Sequence, residues 1–117
     1  MRYIDTYVHH DHSVGVIVEY ICDTVIPSKD KVFQEHVHKT AMHIASANPA
    51  DVKVLLEQCS INNPEKKVAE LLSELVDTFK ENIELVRFVR WDTENGSSDF
   101  GNDDPPPEAS SAALRAV

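Results

Sequence analysis

Polar and apolar residues interleave at a period of two near the start of the chain. Residues 2–9 carry Tyr3, Ile4, Tyr7 and Val8 among polar neighbours, and residues 14–21, VGVIVEYI, are dense in β-branched side chains. Both stretches read as strands. The link between them, HDHS, is short and polar, which predicts a hairpin. Val14, Val16 and Val18 share one face of the second strand, whereas Ile17 and Ile21 share the other with Gly15 and Glu19. Both faces are partly apolar, so both are expected to meet something.

The period then changes. Phe33, Val37, Ala41, Ile44 and Ala45 fall on one side of a helix running from about Asp30 to Ala47. Ser28 or Asp30 can cap its start, and Asn48-Pro49 stops it. KVLLEQC (53–59) reads as a short strand. NNPEKK predicts a second helix start, with Asn63 as cap and Pro64 in the first turn. Val68, Leu71, Leu72, Leu75, Val76 and Phe79 form its apolar face. ENIELVRFVRW (81–91) returns to strand. Strict alternation puts Ile83, Leu85, Val89 and Trp91 on one face with Arg87, and Val86 and Phe88 on the other with Glu84 and Arg90. From residue 93 onward Gly, Ser, Asp and Pro dominate and periodicity is lost, which predicts a disordered tail over 93–117. The expected architecture is an α+β domain over residues 1–92: a small antiparallel sheet, made of the hairpin and the C-terminal strand, packed against two main helices.

Composition narrows the chemistry. At 117 residues the chain is long enough for one domain with one core. Its net charge of −9 argues against direct nucleic-acid binding, which needs clustered Lys and Arg. No apolar run approaches the length of a membrane span, and no signal-like leader is visible. The two cysteines, Cys22 and Cys59, form no CxxC pair and are expected to be free thiols in a reducing compartment. His9, His10, Asp11 and His12 cluster at the hairpin turn, but their spacing matches no closed zinc pattern, so a polar turn is the expectation rather than a metal site. His36 and His43 lack HExxH spacing and are expected at the edge of the core. Only three glycines are present, and there is no phosphate loop and no GxSxG. Neither a cofactor nor an enzymatic activity is expected.

One feature sits badly with a plain scaffold. The loop after the second strand reads CDTVIPSKD, with Val25, Ile26 and Pro27 where water is expected. These residues either complete the core or offer a docking surface.

The segments GVIVEYICDT and KDKVFQEHVHKTAMHIASANP resemble the core of the translation elongation factor Ts family. Ala41-Met42-His43-Ile44-Ala45 with Ala47-Asn48-Pro49, Tyr7-Val8-His9, Leu55-Leu56-Glu57-Gln58, Glu81-Asn82-Ile83 and Arg87-Phe88-Val89-Arg90 match the family's segments in order. The resemblance implies a nucleotide exchange factor that binds the GTPase elongation factor Tu and promotes GDP release. It also implies partner contact at His9, Asp23, Thr24, Val25 and Ile26. The family's Thr-Asp-Phe-Val wedge falls on Thr24, Val25, Ile26 and Pro27, so only the threonine is kept. The stretch from Asn48 to Leu55 is short where family members carry a long helical insertion, and no three-helix module precedes the hairpin. Lys80 stands where the family has a capping Gly, so that turn is expected to differ. The other reading is a degenerate dimerisation module without exchange activity, its sheet packed on a second copy. The resemblance implies a cytoplasmic protein, or a mitochondrial or plastid one in a eukaryote.

Overall fold

The computed structural model describes residues 1–94 and 96–97. Four antiparallel strands lie in chain order: β1 (Arg2–Val8), β2 (Val14–Cys22), β3 (Ile83–Asp92) and the two-residue β4 (Gly96–Ser97). Three α-helices are present among the described residues: α1 (Lys31–Ala47), α2 (Val52–Glu57) and α3 (Val68–Phe79). The predicted α+β architecture is therefore present. The tail expected over 93–117 falls outside the described residues, apart from Thr93, Glu94 and β4.

Period-two alternation on β2 makes the core. Val16, Val18, Tyr20 and Cys22 point under the helices and are buried with Ile83 and Leu85 of β3. From α1, Phe33, Val37, Ala41 and Ile44 close over them, joined by Leu55 of α2 and by Val68 and Leu75 of α3. The Phe33 ring meets Tyr3 and Tyr20 edge-on at 4.9 and 5.9 Å, a favoured aromatic arrangement.

Strict alternation fails on β3. Glu19 pairs with Arg87 and Tyr20 with Leu85, so Val86 is the extra residue of a β-bulge. Past a bulge the faces exchange. Leu85 lies in the core, but beyond the bulge Phe88 and Arg90 take the helix side while Arg87, Val89 and Trp91 turn outward. The predicted grouping of Val89 and Trp91 with Leu85 is thus corrected. Arg90 is buried, and its Nε and Nη2 donate to the Ala45 carbonyl at 3.2 and 3.0 Å. That carbonyl belongs to the last turn of α1, which has no intrahelical donor and favours a cation.

Helix ends explain the other departures. Asp30 caps α1 by accepting from the Val32 N–H at 2.8 Å, and Asn48 ends it in the left-handed region at φ 50°. Both were predicted. The expected strand at 53–59 is instead helix α2, capped by Asp51. Val52, Leu55 and Leu56 pack against the core at spacings of three and four, a helical face that starting the count at Lys53 conceals. Asn63 does not cap α3. Residues 63–66 form a turn, and the Val68 N–H donates to the Gln58 carbonyl, so the helix begins at Val68 after Lys67. Lys80 adopts the left-handed cap at φ 57° with its N–H on the Val76 carbonyl. Lys80 thus holds the left-handed conformation that a glycine adopts most readily.

Candidate functional site

The loop between β2 and α1 begins where β2 leaves the sheet at Cys22. Pro27 is buried and starts a single turn of 3₁₀-helix, Pro27–Lys29. Anchored there, the chain turns Val25 and Ile26 outward, 49% and 62% exposed. They do not complete the core.

Local bonds shape this tip. The Ser28 hydroxyl and N–H both donate to the Val25 carbonyl, at 2.6 and 3.1 Å, and the Ile26 N–H donates to the Thr24 hydroxyl oxygen at 3.2 Å. The Gln34 side chain of α1 donates to the Ser28 carbonyl at 2.9 Å. The rest of the clamp comes from the far end of the chain. Glu81 takes Thr24 with both carboxylate oxygens: Oε1 accepts from the Thr24 N–H at 3.0 Å and Oε2 from its hydroxyl at 2.7 Å. The Asn82 N–H donates to Asp23 Oδ2 at 3.1 Å. A bidentate carboxylate of this kind is among the stronger polar contacts. Beneath the loop, Cys22 is buried, and that burial, followed by the negative charge of Glu81, pushes its thiol above the ordinary range. Such a thiol is unreactive at neutral pH.

His9 lies elsewhere. Its N–H donates to the Val14 carbonyl at the hairpin end of β2, and the Tyr7 hydroxyl sits 2.9 Å from its Nδ1. β2 is nine residues long, which places His9 roughly 30 Å from the tip at about 3.3 Å per residue. Asp23, Thr24, Val25 and Ile26 are thus brought together, and His9 is held apart from them. Next to it, Asp11 accepts from the Ser13 hydroxyl and N–H at 2.6 and 3.0 Å, bonds that hold its carboxyl below the usual range. Among the described residues no group of His, Cys, Asp and Glu could hold a metal ion, and no helix is long and apolar enough to cross a membrane.

A second exposed surface is the outer face of the sheet. Ile4, Val8, Ile17 and Trp91 are 60, 58, 43 and 56% exposed. Within this face Glu19 is buried between two guanidiniums, Arg87 Nε at 2.7 Å and Arg2 Nη1 at 3.0 Å. The Arg87 hydrogen bond, supported by Arg2, holds the Glu19 carboxyl below its ordinary range.

Sequence reasoning missed Glu81 and Asn82 as parts of the site. They stand more than fifty residues from the loop they hold, and no local pattern marks a carboxylate that reaches across a fold.

A family model described as Elongation factor TS matches residues 27–100. Elongation factor Ts of Trichlorobacter lovleyi is 32% identical over 85 residues, which cover 73% of this chain and 27% of that protein. The Geotalea daltonii protein of the same name is 27% identical over 146 residues, covering 83% of this chain and 68% of the relative. The Halothermothrix orenii protein is 29% identical over 90 residues, covering 77% and 30%. The chain therefore spans from about a quarter to two-thirds of these relatives. An alignment of 146 residues also exceeds the 117 of this chain, so the Geotalea protein carries residues within the match that this chain lacks. The order of segments, the fold and the family match agree: the chain belongs to the elongation factor Ts family.

Proposed function

We propose that this chain is a binding module that docks on the GTPase elongation factor Tu and promotes release of its GDP. The observation that carries the reading is the tip: two apolar side chains held out into water by a loop that is already ordered. A pre-ordered apolar anchor loses little conformational freedom on docking, which favours affinity. Exchange needs only that the factor bind the nucleotide-free GTPase more tightly than the GDP-bound form. No group on the module has to perform covalent chemistry, in keeping with a non-enzymatic role.

Val25 and Ile26 make the apolar contact, Asp23 supplies a charge beside them, and Thr24 supports the loop through its bond to Glu81. His9 is a second contact, reached only by a partner wide enough to span the sheet. The family's Asp-Phe pair is replaced by Val25-Ile26, so exchange is weaker than in members that keep the pair. Residues 1–92 carry the activity, and 93–117 are dispensable for it. The module works where translation occurs, in the cytoplasm or, in a eukaryote, in a mitochondrion or plastid.

The test is release of a fluorescent GDP analogue from elongation factor Tu under increasing chain concentration. A saturable acceleration is expected. A release rate unchanged at the highest concentration removes the exchange claim.

The open face of the sheet supports a second reading, a dimerisation module. Ile4, Val8, Ile17 and Trp91 can pack on the same face of a second copy around a two-fold axis. That reading expects a dimer in analytical ultracentrifugation that survives Ile26→Ala and no binding to the GTPase.

A further inference from the structure

Exposed apolar side chains are common, but a tip that docks must be held in one conformation. The cheapest arrangement for Val25 and Ile26 is to fold back on the scaffold, where apolar surface leaves water. They remain outward although Phe79, Val76 and Ile83 lie at the same end of the domain. Something therefore fixes the backbone at Thr24. Two of the local bonds, from Ser28 to Val25 and from Ile26 to Thr24, only close turns within the loop. The bonds that tie the loop to the sheet beyond its own helix are those of Glu81 and Asn82.

Of these two, Glu81 is the more consequential. Its two oxygens hold both donors of Thr24 at once, which fixes the peptide orientation and the side-chain rotamer together. The Thr24 hydroxyl, while donating to Glu81, accepts from the Ile26 N–H. The chain of contacts thus runs from the carboxylate through one hydroxyl to the backbone of the most exposed apolar residue. Glu81 has a fixed base, because it sits between the left-handed cap of Lys80 and the first pairs of β3, where Ile83 pairs with Cys22.

We propose that Glu81 is a positioning residue for docking: it touches no partner itself but holds Thr24, and through Thr24 the Val25-Ile26 tip, in the conformation that binds. The proposal rests on the docking reading above and names the residue on which that reading depends. It also explains how the loop can keep Thr24 while its next three residues depart from the family's wedge. Thr24 is the position the clamp requires, because both of its donors bond to Glu81, whereas the side chains of Val25 and Ile26 make no bond to the clamp.

The experiment pairs two measurements on the full chain. The first is amide exchange of the free chain, wild type against Glu81→Ala and Thr24→Val. The Thr24 and Ile26 amides are expected to exchange at least about tenfold faster in both variants, with the melting temperature almost unchanged because these bonds lie at the surface. The second is affinity for elongation factor Tu. Glu81→Ala is expected to weaken binding about tenfold in the wild-type background and less than threefold in an Ile26→Ala background, the non-additivity of a residue that acts through another. Full additivity, or an unchanged affinity in Glu81→Ala, overturns the positioning role. If the wild-type chain does not bind at all, the docking reading fails; the clamp is then judged on exchange alone, and unchanged rates at Thr24 and Ile26 refute it.

Discussion

The two ends of β2 solve opposite problems with different kinds of bond. At the hairpin end the chain turns through polar residues held mainly by local bonds, His9 with Val14, His12 with His9 and Ser13 with Asp11. Its long-range bond is backbone to backbone, the Thr93 N–H to the Ser13 carbonyl at 3.0 Å, continuing the pairing of β2 with β3. At the other end the chain turns through Val25 and Ile26, and the bonds that tie this turn to the sheet reach Glu81 and Asn82, 57 and 59 residues away. A polar turn is satisfied by its own side chains and by water. An outward apolar turn needs a scaffold that keeps it from collapsing. On the docking reading proposed above, the side-chain clamp is what keeps this apolar turn in one conformation.

Both ends hang from one core, and the largest expected effect comes from loosening it. His36 lies against Tyr20 at the edge of that core, as the sequence predicted, and its buried ring Nε2 has no hydrogen-bond partner among the described residues. Burial pulls its pKa down from 6.5 to about 4. The groove it lines also holds Glu35, Lys39, His43 and Glu74. Above pH 6.5 both folded and unfolded forms keep it neutral. As the pH falls towards 4 the unfolded chain gains the proton first, so stability present at neutral pH is lost across that window. The loss reaches about 3 kcal/mol at about 1.4 kcal/mol per pKa unit. Urea unfolding at pH 7 and pH 4.5 should show most of this loss in the wild type and a clearly smaller drop in His36→Phe, where carboxylates such as Glu19 still titrate. An equal drop in the variant contradicts the assignment.

Next in size is the tip. Ile26→Asp should weaken binding to elongation factor Tu by about thirtyfold, the effect of losing a roughly 2 kcal/mol anchor. Stability should change by no more than about 0.5 kcal/mol, as for an exposed site. Titration calorimetry and thermal melts on the same preparations separate the two effects. His9→Ala, at the other end, is expected to cost threefold or less by the same titration. A larger loss there than at Ile26 would invert the comparison and make the hairpin the principal contact.

The smallest effect concerns the scaffold of the clamp. Lys80 holds a left-handed conformation that costs a side-chain-bearing residue about 1 kcal/mol or more. Lys80→Gly should therefore stabilise the chain by up to about 1 kcal/mol without altering docking. A destabilised variant would mean that the lysine side chain contributes more than its backbone costs.

The sequence made β1, β2 and β3, the two long helices, the Asp30 and Asn48 caps and the apolar tip legible, because each follows from local periodicity or from one residue's conformational preference. What escaped it was non-local or depended on phase. Val86 bulges from β3 because of its pairing with β2, so the faces of Val89, Arg90 and Trp91 could not be read from β3 alone. The six residues of α2 carry too few apolar positions to separate a period of two from one of 3.6. Asn63-Pro64 suits a turn as well as a helix start, and the Gln58 carbonyl decided between them. Of the site, the exposed residues were visible and the carboxylate that holds them was not.

Backbone amide exchange of the chain, free and with elongation factor Tu, tests the central claim most directly. The account predicts strong protection at Asp23, Thr24, Val25 and Ile26 on complex formation, larger than at His9 and His10. A complex that leaves the tip amides exchanging as they do in the free chain, or the absence of any complex, would contradict it.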